Sequence, residues 1–269
     1  MAKKDAKIKV IVATHKKYMM PNDELYLPLE AGVDFHGKKT DYEGDNTGKN
    51  ISVKNGGFSE LTGLYWAWKN LKADYVGLVH YRRYFTVEKM KLGVPKKRLK
   101  KILTKKQAEG LLAGNEVILP KKRNYWIENL YDHYTHTMEA KPLEMTGEIL
   151  KEKYPDYYKE FKKLHERKTA HMFNMMIMKK DIFDDYCEWL FGVLFELERN
   201  VEKAGLKYDD FHARFYGRIS ELLLDVYIQT NHIKYVEVPV ISIEPVNWIK
   251  KGGSFLKAKF LGKKYKESF

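Results

Sequence analysis

His80, Tyr81, Arg82 and Arg83 follow directly on an apolar run in the segment YVGLVHYRRYF, residues 75–85. Such a run predicts a central strand buried on both faces. In open α/β sheets the carboxyl ends of these strands face the ligand crevice. Two guanidinium groups and an imidazole placed there make an anion site, because arginine forks match phosphate oxygens and stay charged. Side chains alternate along extended backbone, so His80 and Arg82 are predicted to share one side while Arg83 anchors a carboxylate on the other. A departing nucleotide diphosphate builds negative charge that a metal or fixed cations must meet; His80, Arg82 and Arg83 can supply the positive charge. Glycosyl transfer with inversion also needs a base for the acceptor hydroxyl. Glu221, in FYGRISELLLD near Arg218, is the candidate. A surface ion pair between Arg218 and Glu221 at i, i+3 is the alternative for the same residues.

Familiar phosphate and nucleophile signatures are missing: there is no Gly-Lys-Ser/Thr phosphate loop, no G-x-G-x-x-G and no G-x-S-x-G. Asp-x-Asp is also absent, so no usual carboxylate pair offers itself to a divalent metal. His133 and His136 have i, i+3 spacing but no obvious third ligand. The expected site therefore uses no metal and no cofactor.

The elements that must hold these residues alternate between strand and helix, which argues for an α/β sheet. Ile8–Ala13 reads as a buried first strand closing in Thr14-His15, and residues 32–58 as a long polar loop. Ser59 is the expected N-cap of a helix whose apolar face is Leu61, Leu64, Tyr65, Trp68 and Leu71. Thr104 and Gln107 form a capping box; Glu116–Leu119 is a second strand, residues 125–168 are mainly helical, and Phe173–Met178 is a third strand. Asp181 caps a long helix, another spans about 213–230, and Val236, Val238 and Val240 alternate as an edge strand beside Pro239.

The chain has 269 residues and is 44% hydrophobic, enough for a large core. A net charge of +13 points to an anionic partner. One class this permits is a nucleic-acid-binding module using the Lys-rich run at 96–106; a strand with a convergent polar end instead suggests a pocket. The single cysteine, Cys187, excludes an intramolecular disulfide and a cysteine-based zinc site, and suits a reducing cytoplasm. The basic start lacks the apolar core of a signal peptide. From Asn247 the chain interleaves lysines with Trp248, Phe255, Leu256, Phe260 and Leu261, a composition that suits an anionic membrane interface.

The stretches VATHK (12–16), DNTGKNIS (45–52), ELTGLYWAWKN (60–70), GLVHYRRYF (77–85), LPKKRNYWIENLYDHY (119–134), FNMMIMKKDIFDDYCEWLFGVLFELE (173–198) and GRISELLLDVY (217–227) occur in order. By them the chain resembles a bacterial family of capsule and exopolysaccharide gene clusters, once a domain of unknown function and since linked to glycosyltransferases, including galactofuranosyltransferases. The resemblance implies a GT-A-like (Rossmann-like) mixed sheet flanked by helices, with a helical insertion. It divides the chain into a transferase domain at 1–246 and a basic aromatic tail at 247–269. It implies a UDP-sugar donor, with UDP-galactofuranose favoured, and a lipid-linked oligosaccharide acceptor. No nucleic-acid partner is then expected, and the place of action is the cytoplasmic face of the plasma membrane. Placed on that fold, Thr14, His15, Tyr81, Arg83 and Arg218 would line the donor site. Asp45 and Asn46 would bond sugar hydroxyls, and Asn174 would stand at a donor-sugar turn. Asp225 stands where relatives carry Asn.

Overall fold

A computed structural model describes residues 6–88 and 94–244. The predicted tail at 247–269, with its membrane contact, lies outside the described residues. The strands are β1 (Ile8–Thr14), β2 (Tyr26–Glu30), β3 (Glu43–Gly44), β4 (Tyr75–His80), β5 (Arg83–Phe85), β6 (Val117–Pro120), β7 (Arg123–Asn124), β8 (Thr169–Ala170), β9 (Met176–Lys179), β10 (Tyr235–Val238) and β11 (Val240–Ser242). Nine of them form one mixed sheet in the order β10-β6-β9-β4-β1-β2-β3, with a β5–β11 ribbon beside β4. All neighbours in that path are parallel except β9, which runs antiparallel between β4 and β6. Strands β7 and β8 pair separately. This is the α/β, GT-A-like sheet expected from sequence.

Apolar residues in the central strands alternate between two cores. Ile11, Ala13, Val76, Leu78, Met176 and Met178 face one; Val10, Val12, Tyr75, Val79, Met175 and Ile177 face the other. Both faces are dry, which is why these strands read as continuous apolar runs. Gly77 is required where β9 crosses β4: a Cβ there would stand 2.6 Å from the Met176 carbonyl oxygen. Helices Leu61–Asn70, Lys180–Lys203 and Phe215–Thr230 cover the first face; Lys105–Leu112, closed by the expected Thr104–Gln107 capping box, covers the second. Three helices, Leu130–Thr137, Ala140–Lys153 and Pro155–Glu166, form the insertion between β7 and β8. Among the described residues no helix is long and apolar enough to cross a membrane.

Several expectations need correction. Strand β2 has no counterpart in the sequence reading, because Pro28 interrupts its apolar pattern; as a neighbour of β1 it nonetheless pairs in parallel register, Val12 opposite Pro28. The loop at 32–58 contains the short helices Val33–His36 and Asn55–Phe58. Ser59 is no N-cap: it ends Asn55–Phe58 with a left-handed φ of 52°, and the next helix starts at Leu61. Asp181 lies inside the first turn of Lys180–Lys203, whose N-cap is Lys179.

Candidate active site

The parallel strands β1, β2, β4 and β6 end along one edge of the sheet, and antiparallel β9 begins there. Thr14, Glu30, His80 and Pro120 are their last residues. The crevice rule places a ligand at this edge.

Strand β4 stops at His80. A tight turn through Tyr81 and Arg82 brings Arg83 back opposite His80 as the first residue of β5. This reversal overturns the expected alternation, because extended geometry does not continue past His80. Arg82 is half exposed with its Nη1 3.5 Å from the Glu244 carboxylate. Arg83 turns inward over the Phe173 ring, 4.7 Å from its centroid. Burial depresses the Arg83 pKa, as do the positive charges of Arg82, Arg218 and Arg123, while the carboxylate of Glu221 opposes them. The roles expected for the two arginines are thus exchanged: Arg82 holds a carboxylate at the rim, and Arg83 joins the inner cluster.

His80 donates from Nε2 to the Phe173 carbonyl oxygen. Burial lowers its pKa, with Glu60 pulling the other way. Its bond fixes an unusual turn, since Phe173 and Asn174 both have left-handed backbone, at φ 79° and 51°. Ser59, across the site, is also left-handed and accepts a 3.0 Å bond from Arg214 Nε. Non-glycine residues in this region cost energy and gather where surrounding structure imposes them, often at functional sites.

Asn174 is fully buried. Its amide nitrogen donates to Glu60 Oε1 at 2.8 Å and to the Gly217 carbonyl oxygen at 3.0 Å. The turn is thereby tied to the two helices that start at this edge. Glu60 would be raised by burial, yet His80, the Asn174 amide and Arg214 outweigh that effect and hold its pKa low.

One turn beyond Gly217 stands Glu221, whose side chain is 7% exposed. Burial raises its pKa; Arg218, Arg83 and Arg123 oppose the rise, and Glu60 adds to it. Arg218 Nη1 lies 3.6 Å from Glu221 Oε1, while Oε2 is buried without a hydrogen-bond partner. The Oδ1 of Asn174 is likewise buried and unpartnered. Buried polar atoms left open in this way are what a ligand would satisfy.

The remaining predicted residues fall into two further groups. Thr14 makes a local turn, its hydroxyl donating to the Lys16 carbonyl at 2.7 Å. His15 sits edge-on to Tyr81 at 5.4 Å, and Tyr81 is further surrounded by Tyr18, Lys16 and Arg82. This basic, aromatic patch borders the inner cluster across the His80–Arg83 turn. Asp45 is fully buried and accepts from the Gly32 and Val33 amides at 2.7 and 3.2 Å and from the Ser52 hydroxyl. Its oxygens are committed to shaping the loop, a correction to the sugar-binding role expected of it. Asn46 donates to Asp34 at 2.9 Å.

Sequence reasoning missed Glu60, Arg123 and His171. Glu60 stood in a matching stretch, but nothing in its neighbourhood marked it. Arg123, over the Tyr125 ring at 4.9 Å, lies just past β6 at the same edge. His171 is fully buried between Asp225 and Glu237: its Nδ1 and backbone N–H meet Asp225, and its Nε2 lies 3.1 Å from Glu237. Asp225, one turn beyond Glu221, so anchors the segment that leads into the Phe173–Asn174 turn. His133 and His136 share the buried carboxylate of Glu128 at 3.3 and 3.2 Å. Among the described residues no three His, Cys, Asp or Glu side chains gather as a metal site.

A solved apo structure titled as the bifunctional glycosyltransferase WbbM is similar to this chain, with a TM-score of 0.79 and 29% sequence identity. The match covers 89% of this chain and 46% of that one, so this chain spans less than half the length of WbbM. No curated protein matches the chain. A family model described as a domain of unknown function matches residues 9–232, most of the sheet and every residue of the inner cluster, and by that match the chain belongs to the DUF4422 family.

Proposed function

We propose that this protein is a glycosyltransferase acting on a nucleotide-sugar donor. The observation that carries the reading is Glu221: a buried carboxyl with one open oxygen and a raised pKa, ringed by Arg83, Arg123 and Arg218 at the carboxyl edge of the sheet. A base poised in this way suits deprotonation of an acceptor hydroxyl, and guanidinium groups beside it suit a diphosphate. Similarity to WbbM supports the same class.

In the proposed reaction the acceptor hydroxyl gives its proton to Glu221 as its oxygen bonds the anomeric carbon. The bond from that carbon to the donor diphosphate breaks through an oxocarbenium-like state, as in other glycosyl chemistry. Arg83 and Arg218 meet the charge left on the diphosphate, with Arg82 at the rim. His80 and Asn174 hold the strained turn against Glu60. The nucleotide would lie toward Thr14, His15 and Tyr81. We favour a UDP-sugar, specifically UDP-galactofuranose, inversion at the anomeric carbon, and a lipid-linked oligosaccharide acceptor reached at a membrane surface through the tail.

A thermal-shift panel tests this. Uridine diphosphate and UDP-sugars should stabilise the protein, with and without EDTA, and RNA should not. Stabilisation by RNA alone would refute the transferase reading; loss of the nucleotide effect in EDTA would refute charge neutralisation by side chains alone.

A further inference from the structure

The helical insertion contains a cleft of about 420 Å³ that shares no residue with the candidate active site. It opens between helices Leu130–Thr137, Ala140–Lys153 and Pro155–Glu166. Its walls include the rings of Tyr131, Tyr158, Phe161 and His165. Tyr131 and Phe161 flank His165 at 5.3 and 4.2 Å between centroids. Gly147 belongs to the lining, and a Cβ there would press on the Phe161 ring at 3.3 Å.

The charges around it nearly cancel. Glu144 and Glu148 stand against Lys151 and Lys162, and Lys162 lies over the Tyr158 ring at 5.3 Å. Burial lowers the His165 pKa to about 4, so its imidazole adds no charge at neutral pH. In a chain of net charge +13 a balanced lining is a departure, and it disfavours the phosphates that the active site attracts. Aromatic faces with polar groups at their edges instead suit the apolar faces and hydroxyls of sugar rings. The His165 Nε2 is buried with no hydrogen-bond partner and is the kind of group a ligand hydroxyl would satisfy.

Helix Leu130–Thr137 joins the two places. Its Tyr131 lines the cleft, while its His133 packs on Tyr125 at 3.9 Å, beside Arg123. The same helix thus borders both the cleft and the segment that carries Arg123.

We infer that this cleft is a second saccharide site that holds an uncharged stretch of glycan away from the reacting end. The inference rests on the transferase reading for the source of the glycan, but binding itself needs no turnover. The test is saturation-transfer NMR on the full chain with three probes: β-galactotetraose, mannotetraose and maltotetraose. At least one should receive saturation, with binding roughly tenfold weaker in Tyr158→Ala, which removes a stacking face. Glu148→Trp, at an exposed lining position, should block the cleft while sparing the core, which guards against a Tyr158→Ala chain that does not fold. Glu221→Gln and Arg83→Ala should leave the signal unchanged. Absence of transfer from all three probes overturns the inference, as does a signal that survives Glu148→Trp or is lost in Arg83→Ala. A wild-type chain that binds a tetrasaccharide through Tyr158 but turns over no UDP-sugar would refute the transferase reading and leave the cleft standing.

Discussion

Glu221→Gln separates a catalytic base from an ordinary helix ion pair, because the two roles predict opposite balances of stability and rate. The substitution keeps side-chain volume and replaces a buried, half-unpartnered carboxyl with an amide. What it removes is the 3.6 Å pair with Arg218, whose side chain is 41% exposed. A pair so open to solvent is worth at most about 1 kcal/mol, and removal of a buried charge offsets that loss. The melting temperature should therefore move by no more than about 2–4 °C. Loss of a general base should cut kcat by about 10²–10⁴, which adds about 2.7–5.5 kcal/mol to the barrier. Donor KM should hold, since the carboxyl acts on the acceptor proton. Burial raises the Glu221 pKa, so the acidic limb of kcat/KM in the wild type should lie above the usual glutamate range. The assay is release of nucleotide from a UDP-sugar in the presence of acceptor, paired with thermal denaturation. A variant with near-normal turnover, or one that loses its fold along with its activity, would refute the assignment.

Other perturbations probe the frame around that carboxyl. His171→Ala takes the imidazole from Asp225, 1% exposed, and leaves it only the backbone N–H of residue 171; removing one member of a buried pair costs about 3–5 kcal/mol, so thermal denaturation should show a fall of roughly ten degrees, and an unchanged melting curve would contradict the anchoring role. Arg83→Ala should weaken binding of uridine diphosphate in calorimetry more than Arg82→Ala does, because Arg82 is half exposed and engaged with Glu244; the reverse order would return the inner role to Arg82. Burial holds His165 at a pKa of about 4, well under the ordinary histidine value of 6.5. As pH falls through 6.5 the unfolded chain takes up this proton before the native chain does. Stability should be complete above pH 6.5 and decline toward pH 4, with a shallower decline in His165→Phe as read by denaturant midpoints.

Much of the frame was legible in the sequence because it follows from period and burial. The run at 75–79 could only be a strand dry on both faces, and its carboxyl end had to meet the crevice. The helices at 180–203 and 215–230 declared themselves by apolar spacing. What stayed hidden depended on single backbone torsions. The turn at Tyr81–Arg82 exchanged the places of the two arginines, and no residue there is a glycine or proline to announce it. The left-handed backbone at Ser59, Phe173 and Asn174 is imposed by contacts from distant segments, among them Glu60, Gly217 and Arg214. Asp45 carried a family motif, yet its role became plain only when its oxygens were seen to be spent on Gly32, Val33 and Ser52.

The most direct test of the account is a crystal of the protein grown with uridine diphosphate. The account predicts the diphosphate within hydrogen-bond reach of Arg83 or Arg218, next to Glu221. A diphosphate bound elsewhere, away from the edge where His80 and Asn174 meet, would contradict it.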